Sequence, residues 1–153
     1  SLAGDGSSFD TNTQWFIVNL DTTPGFEDIL TGLPASSSPT VGFSSGAPYF
    51  FQSPTLASDG TLAATKFVDV AIVSSSDSGH ANPVLTFYTN GIPSQTNTSV
   101  AIPQADGWNT LGVGGNGAYN GYIREYAVYS NKLSSVNVSN LHYYATNLYG
   151  YTP

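Results

Sequence analysis

The chain has no cysteine and no methionine, and of its 153 residues only Lys66, Arg124 and Lys132 carry a fixed positive charge. Each absence removes a class of chemistry. Without cysteine there is no disulfide, no thiol nucleophile and no cysteine-based zinc site, so stability rests on packing; the compartment stays open. Nucleic-acid binding depends on Lys and Arg neutralising phosphates. Three cations against ten carboxylates, a net charge of −7, exclude DNA and RNA as partners. Anionic membrane surfaces are disfavoured for the same reason. No run is long enough to span a bilayer and none reads as a secretory leader, so no membrane insertion is expected. A start at Ser1 fits either a trimmed initiator Met or a removed leader. Charged residues are 8% of the chain, against roughly 25% in ordinary globular proteins. Solubility must come from Ser, Thr, Asn, Gln and Gly, a surface suited to extracellular, viral and carbohydrate-facing proteins. The expected location is extracellular or on a virion or cell surface.

What is present is mostly short strands between turn signals. After a loosely ordered lead over Ser1–Asp10, the segment Gln14–Leu20 is apolar on both faces and reads as a central strand. Asp21–Gly25 breaks it. Phe26–Leu33 fits either one helical turn or a strand. Thr40–Phe43 and Pro48–Gln52 read as strands, and Asp59-Gly60 marks a hairpin turn between Leu56 and Leu62-Ala63. Lys66–Val73 is a second clear strand. A polar loop over Ser74–Asn82 holds Asp77 and His80. Val84–Thr89, the Asn90-Gly91 turn and Ile92 onward form the next hairpin, continued by Val100–Ile102. Asp106-Gly107 then turns the chain toward Trp108–Val113. In Gly121–Tyr129, strict alternation puts Ile123, Glu125, Ala127 and Tyr129 on one face and Tyr122, Arg124, Tyr126 and Val128 on the other. A helix follows, capped by Ser134 or Ser135. Val138, Leu141, Ala145 and Leu148 line one face of it, and Gly150 stands where a left-handed cap belongs. The pattern predicts an all-β, two-sheet antiparallel sandwich with one short C-terminal helix. Phe16, Val18, Val70, Ile72 and Ile123 are its expected core, and the helix is expected over one end or edge.

Several motifs in the second half resemble those of LamG-like, concanavalin A-like jelly-roll domains. They are the Leu85-Thr86-Phe87-Tyr88-Thr89-Asn90-Gly91 hairpin, the Gly114-Gly115 turn and the Gly121-Tyr122-Ile123-Arg124-Glu125 strand. The step from Tyr129 to Leu133-Ser134 and the closing Tyr149-Gly150 complete the set. The resemblance implies jelly-roll connectivity for residues 1–153 as a single domain, with 1–10 as its lead. It also implies a structural place for Glu125. Family members usually carry one or two strands before the segment that Gln14–Leu20 resembles, so the chain reads as a compact version or as a piece of something longer.

Catalysis finds little support. Glycoside hydrolysis needs two carboxyl groups about 5–9 Å apart, and a strand supplies them from acidic residues two apart on one face. The glutamates are only Glu27 and Glu125, and Glu27-Asp28 on a strand would face opposite ways. No Gly-x-Ser-x-Gly elbow occurs. His80 in its loop and His142 on the helix read as surface or half-buried residues rather than bases. Two histidines do not make a dedicated transition-metal site. Oxygen-rich loops could take calcium at Asp77 with Asn82, or at Asp106 with Asn109 or Asn116. The same residues serve turns equally well, and that reading is preferred, so no cofactor or metal is expected. Asn97-Thr98-Ser99 and Asn137-Val138-Ser139 match the N-glycosylation acceptor. In a chain this rich in Asn, Ser and Thr, chance matches are expected.

The aromatic residues are the best clue to function: 10 Tyr, 8 Phe and 2 Trp. Sugar rings pack C–H faces on aromatic rings while amides read their hydroxyls, an apolar body with a few polar fixers. Trp108, Asn116, Tyr119 and Asn120 could form such a platform, since their loops flank one short strand, Leu111–Val113. Tyr122, Arg124 and Tyr126 offer a second on a strand face. The alternative for each aromatic is sheet packing, and Trp15 is read as core. The chain therefore reads as a non-catalytic surface module whose partner is a glycan. The rival is a decoration or appendage protein that contacts another surface or capsid protein and forms homo-oligomers. A glycoside hydrolase trails.

Overall fold

The computed structural model describes residues 11–20, 26–32, 40–44, 47–52, 55–58, 66–75, 83–98, 108–111, 113–114, 117–118 and 121–151. In a five-stranded antiparallel sheet, β1 (Asn12–Leu20) lies between β6 (Phe67–Ser75) and β12 (Gly121–Tyr129), and β7 (Val84–Thr89) and β8 (Ile92–Asn97) continue beyond β6. The second sheet holds β2 (Phe26–Gly32), β3 (Thr40–Ser44), β4 (Ala47–Gln52) and β5 (Thr55–Ser58). β9 (Trp108–Leu111), β10 (Val113–Gly114) and β11 (Gly117–Ala118) sit at the β2 end. Phe26–Leu33, open between helix and strand in the sequence, is strand to Gly32. Asp59-Gly60, Leu62-Ala63, Asp21–Gly25 and Val100–Ile102 lie outside the described residues.

The two central strands explain why their sequences are apolar on both faces. Phe16, Val18, Val68, Val70 and Ile72 point into the sandwich. There they meet Val41 and Phe43 of the second sheet, Leu85 and Phe87 of β7, and the half-buried Ile123 and Tyr126. Trp15, Ile17, Ala71 and Val73 point the other way, and helix α1 (Ser135–Tyr149) covers them through Val138 and Ala145. The helix therefore lies across the outer face of the five-stranded sheet, not over an end or edge of the sandwich. A bare sheet face carrying Trp15 and Ile17 would expose a large apolar patch, and α1 removes it from water.

Two expectations about side-chain direction need correction. Strict alternation along β12 fails because its register against β1 shifts: Ile17 opposes Glu125, but the next residue, Val18, opposes Ile123. Arg124 is the extra residue of a β-bulge, and a bulge changes the phase of the faces. Ile123 and Tyr126 thus both face the interior, while Arg124, Glu125, Ala127 and Tyr129 face α1. On the helix, Leu148 is 56% exposed and Leu141 only half-buried. The docked stripe passes from Val138 and Ala145 to Tyr149. Four residues after Ala145, Tyr149 reaches Glu125 with its hydroxyl, whereas Leu148 has rotated outward.

The helix ends behave as capping chemistry requires. Ser134 is extended and its side chain accepts from the Asn137 N–H at 3.2 Å. Gly150 closes the helix in the left-handed region, its N–H donating to the Thr146 carbonyl at 2.9 Å. Just upstream, buried Thr13 pins the Leu-Ser step: its hydroxyl donates to Asn131 O and accepts from Leu133 N.

Candidate functional site

The backbone places the segments β9 and β11, which border the sequence-derived platform, along one edge of β2. Trp108 opens β9 opposite Gly32, and Ala118 of β11 pairs with Asp28. Both partners lie on the edge of β2 that faces away from β3. The segments carrying Trp108 and preceding Tyr119 therefore converge on one strand, separated by four residues of β2, about 13 Å at strand rise. Asn116, Tyr119 and Asn120 lie outside the described residues, as do Asp77, His80, Asn82 and Asp106. Asn109 sits within β9. Among the described residues no three His, Cys, Asp or Glu gather as a metal site.

The second platform does not survive as drawn. Tyr126 stacks on Phe16 inside the sandwich, with centroids 5.4 Å apart and planes 15° from parallel. Tyr122 and Arg124 remain on the outer face. The Asn137 acceptor motif lies in the first turns of α1, where the Ser139 hydroxyl donates to Gly91 O at 3.0 Å.

The outer face of the five-stranded sheet holds polar chemistry that the sequence reading did not assemble. Asp69 and Glu125 flank Ile17 from the two neighbouring strands. Asp69 is 1% exposed. Its Oδ1 lies 2.5 Å from His142 Nδ1 of α1 and accepts from the Tyr151 hydroxyl at 2.8 Å. Burial, then the charge and hydrogen bond of Asp69, push the Tyr151 phenol up. Glu125 accepts from Tyr149 at 2.9 Å and from Tyr144 at 3.4 Å, one phenol on each oxygen. The hydrogen bond to Glu125 is the largest cause that raises the Tyr149 phenol; for Tyr144 it is burial, with Glu125 next. Arg124 stacks between two rings, 4.2 Å from the Phe67 centroid and 5.0 Å from that of Tyr149. One signal could have exposed this cluster. An Asp inside the apolar run Phe67–Ser75 has to be buried, and a buried carboxylate needs donors. His142, at helical spacing from Val138 and Ala145, is one of them.

With the geometry in view, comparisons with known proteins define the class. The family model described as the concanavalin A-like lectin/glucanases superfamily matches residues 7–139. The chain belongs to that superfamily. A search of curated proteins found no match. Among solved structures, domain 4 of an extracellular arabinanase from Geobacillus stearothermophilus, in complex with arabinotriose, is similar at TM-score 0.70 and 17% identity. The similarity covers 91% of this chain and 70% of that one. A heptameric pentraxin from Limulus polyphemus matches at TM-score 0.65 and 14% identity, over 89% and 71% of the two chains. A Trypanosoma rangeli sialidase matches at TM-score 0.62 and 15% identity, over 86% of this chain but 22% of the enzyme. At these identities the likeness establishes the fold: a two-sheet antiparallel jelly roll, shared by enzymes and by binding domains.

Proposed function

We propose that this chain is a non-catalytic glycan-binding module of an extracellular, virion or cell surface. Trp108, Asn116, Tyr119 and Asn120 form its sugar platform. The observation that carries the reading is the use of Asp69 and Glu125, the two carboxylates on the outer face of the five-stranded sheet. Glu125 has both oxygens held by tyrosine hydroxyls, and Asp69 is buried against His142 and Tyr151 beneath α1. Hydrolysis of a glycosidic bond needs two carboxyl groups facing each other across the sugar. Asp69 and Glu125 are spent on docking a helix instead. A lectin breaks no bond. It stacks the C–H face of a sugar on an aromatic ring and reads hydroxyls with amides. In support, the edge of β2 brings the Trp108 strand and the Ala118 segment together on a rigid sheet, and the arabinanase domain of the same fold is seen with an oligosaccharide.

The test is a glycan-array screen followed by melting curves with the best hit. The hit should raise the melting temperature by mass action, and Trp108→Ala should abolish that rise while leaving the unliganded melt near wild type. Absence of any glycan hit, with Trp108→Ala strongly destabilising, would overturn the reading.

One observation favours the second reading, a decoration or appendage protein. The outward face of α1 exposes Val136, Tyr143 and Leu148, and the helix has no Asp, Glu, Lys or Arg. An uncharged apolar face suits protein–protein contact with a capsid partner or another copy. Sedimentation showing a symmetric oligomer that Tyr143→Asp dissolves would support that role.

A further inference from the structure

Arg124 is the chain's single arginine, in a sequence with ten Asp and Glu residues. In such a chain a guanidinium would be expected to find a carboxylate, and among the described residues Arg124 has none. Its contacts are the faces of Phe67 and Tyr149, and among the described residues no oxygen accepts from it. The adjacent Glu125, on the same side of the sheet because of the bulge, has given both oxygens to Tyr144 and Tyr149. The guanidinium is thus held against ring faces, which leaves its N–H donors without an acceptor among the described residues. The bulge is what brings it here.

The surroundings define the ligand. In register, Tyr122 of β12 and Phe67 of β6 both oppose Asn19 of β1, so Tyr122, Asn19 and Phe67 form one row on the outer face. Adjacent strands are about 4.8 Å apart, which sets Tyr122 and Phe67 about 10 Å apart at Cα. Tyr122 is 64% exposed. Lys66, also exposed, directly precedes Phe67 at the same end of the sheet. The row therefore offers an open phenol ring, a fixed guanidinium fork and a rim ammonium. A planar fork matches the two oxygens of a carboxylate, and the match gives geometric as well as electrostatic selectivity.

We propose that Tyr122, Arg124 and Lys66 form an acidic-sugar site, in which a uronic-acid-type residue of a glycan stacks on Tyr122 and places its carboxylate on Arg124. The proposal rests on the glycan-binding reading and adds a second, charge-selective subsite on the outer face of the five-stranded sheet. With a net charge of −7 the whole chain repels anions. Capture at this site is therefore a short-range match, and the site should discriminate a carboxylate from its neutral counterpart instead of gathering polyanions at large.

A single arginine gives a single side-chain Nε–H resonance, which makes the test direct. The full chain, 15N-labelled, is titrated with oligogalacturonate and with the same oligomer after reduction of its carboxyl groups. The acid form should shift the Arg124 Nε–H signal and bind at least tenfold more tightly than the reduced form. Arg124→Gln should remove that preference, whereas Tyr122→Ala, a change at an exposed position, should weaken the acid and reduced forms alike. If the acid and reduced forms bind equally and the Arg124 signal stays still, this subsite is refuted while glycan binding stands. If neither form nor any arrayed glycan binds, both readings fall. Hexaglutamate moving the same signal equally would refute selectivity for a sugar.

Discussion

The five-stranded sheet has two buried faces built on different principles. Facing the second sheet, Phe16, Val18, Val70, Ile72, Leu85 and Phe87 pack as apolar shapes, with one amide pair, Gln14 to Asn12, among the buried polar groups. Facing α1, apolar residues are interleaved with polar pairs: Asp69 with His142 and Tyr151, Glu125 with Tyr144 and Tyr149, and Arg124 against the Phe67 and Tyr149 rings. The first face tolerates any side chain of suitable volume and parity. The second works only if particular groups meet, since a buried carboxylate without donors is costly. The sandwich is thus generic and the helix dock is specific. Several of the motif residues that resemble the family sit in the dock. Gly91 lies under the helix, Leu133 and Ser134 start it, and Tyr149 and Gly150 end it. Glu125 receives Tyr149.

The largest effects should come from emptying each face in turn. Phe16→Ala opens a cavity in the sandwich and should cost about 3–5 kcal/mol in denaturant melts. Asp69→Ala leaves His142 and Tyr151 without their acceptor. Two hydrogen bonds to a charged group at about 1.5–3 kcal/mol each, partly regained from water by half-buried His142, suggest about 2–4 kcal/mol. The two losses should differ in kind. Hydrogen exchange should show Phe16→Ala lowering protection throughout, and Asp69→Ala lowering it first in α1. Equal loss in α1 and β6 for Asp69→Ala would mean that the two faces are one cooperative unit.

This contrast explains what was legible in the sequence. Period-two patterning carries face assignment, so Gln14–Leu20, Val84–Thr89 and Gly121–Tyr129 could be placed as strands and Phe16, Val18, Val70 and Ile72 as core. The caps at Ser134 and Gly150 were readable because they depend on local backbone chemistry. Periodicity could not show the bulge at Arg124. A bulge is a relation between two strands, and it inverted the assignment of Ile123 relative to Glu125. Nor could it show that α1 lies on a sheet face, because that depends on which strands leave Trp15 and Ile17 uncovered. Of the candidate sites, the platform at Trp108 was drawn from aromatic content and loop adjacency. The convergence of β9 and β11 on β2 became visible only with the pairing of Trp108 with Gly32 and of Ala118 with Asp28.

Two glycines sharpen the contrast on a smaller scale. Gly91 and Gly150 both have left-handed φ, 73° and 64°. Alanine at either position should cost about 1–2 kcal/mol for the backbone alone. At Gly150 a Cβ would meet nothing within 4 Å, whereas at Gly91 it would lie 2.7 Å from the His142 Cβ and 3.2 Å from the Ser139 Cα. Gly91→Ala should therefore exceed Gly150→Ala, and it should weaken the His142–Asp69 contact by lifting the helix. Equal melting shifts for the two variants would show that the hairpin turn does not set the height of α1.

The finest test makes one substitution on both faces. The Tyr126 hydroxyl is buried in the sandwich with no hydrogen-bond partner among the described residues, while that of Tyr151 donates to Asp69. Replacing an unpaired buried hydroxyl should be neutral or stabilise by up to about 1 kcal/mol; losing a bond to a carboxylate should cost about 1.5–3 kcal/mol. Tyr151→Phe should then lower the denaturant midpoint and Tyr126→Phe should not. Alkali separates them further. Both phenols are held above the ordinary value of 10.0, Tyr126 by burial and Tyr151 by burial, then by the charge and hydrogen bond of Asp69. Below that value both are protonated whether the chain is folded or not, and they add no pH dependence. Above it the unfolded chain loses its protons first and binds fewer than the folded one, so stability falls as pH rises. The wild type should weaken above about pH 10, and each Phe variant should remove its own part of that fall. A Tyr126→Phe protein that melts lower than wild type at neutral pH and falls as steeply in alkali would mean that the Tyr126 hydroxyl is satisfied, and that the interior too depends on a polar contact.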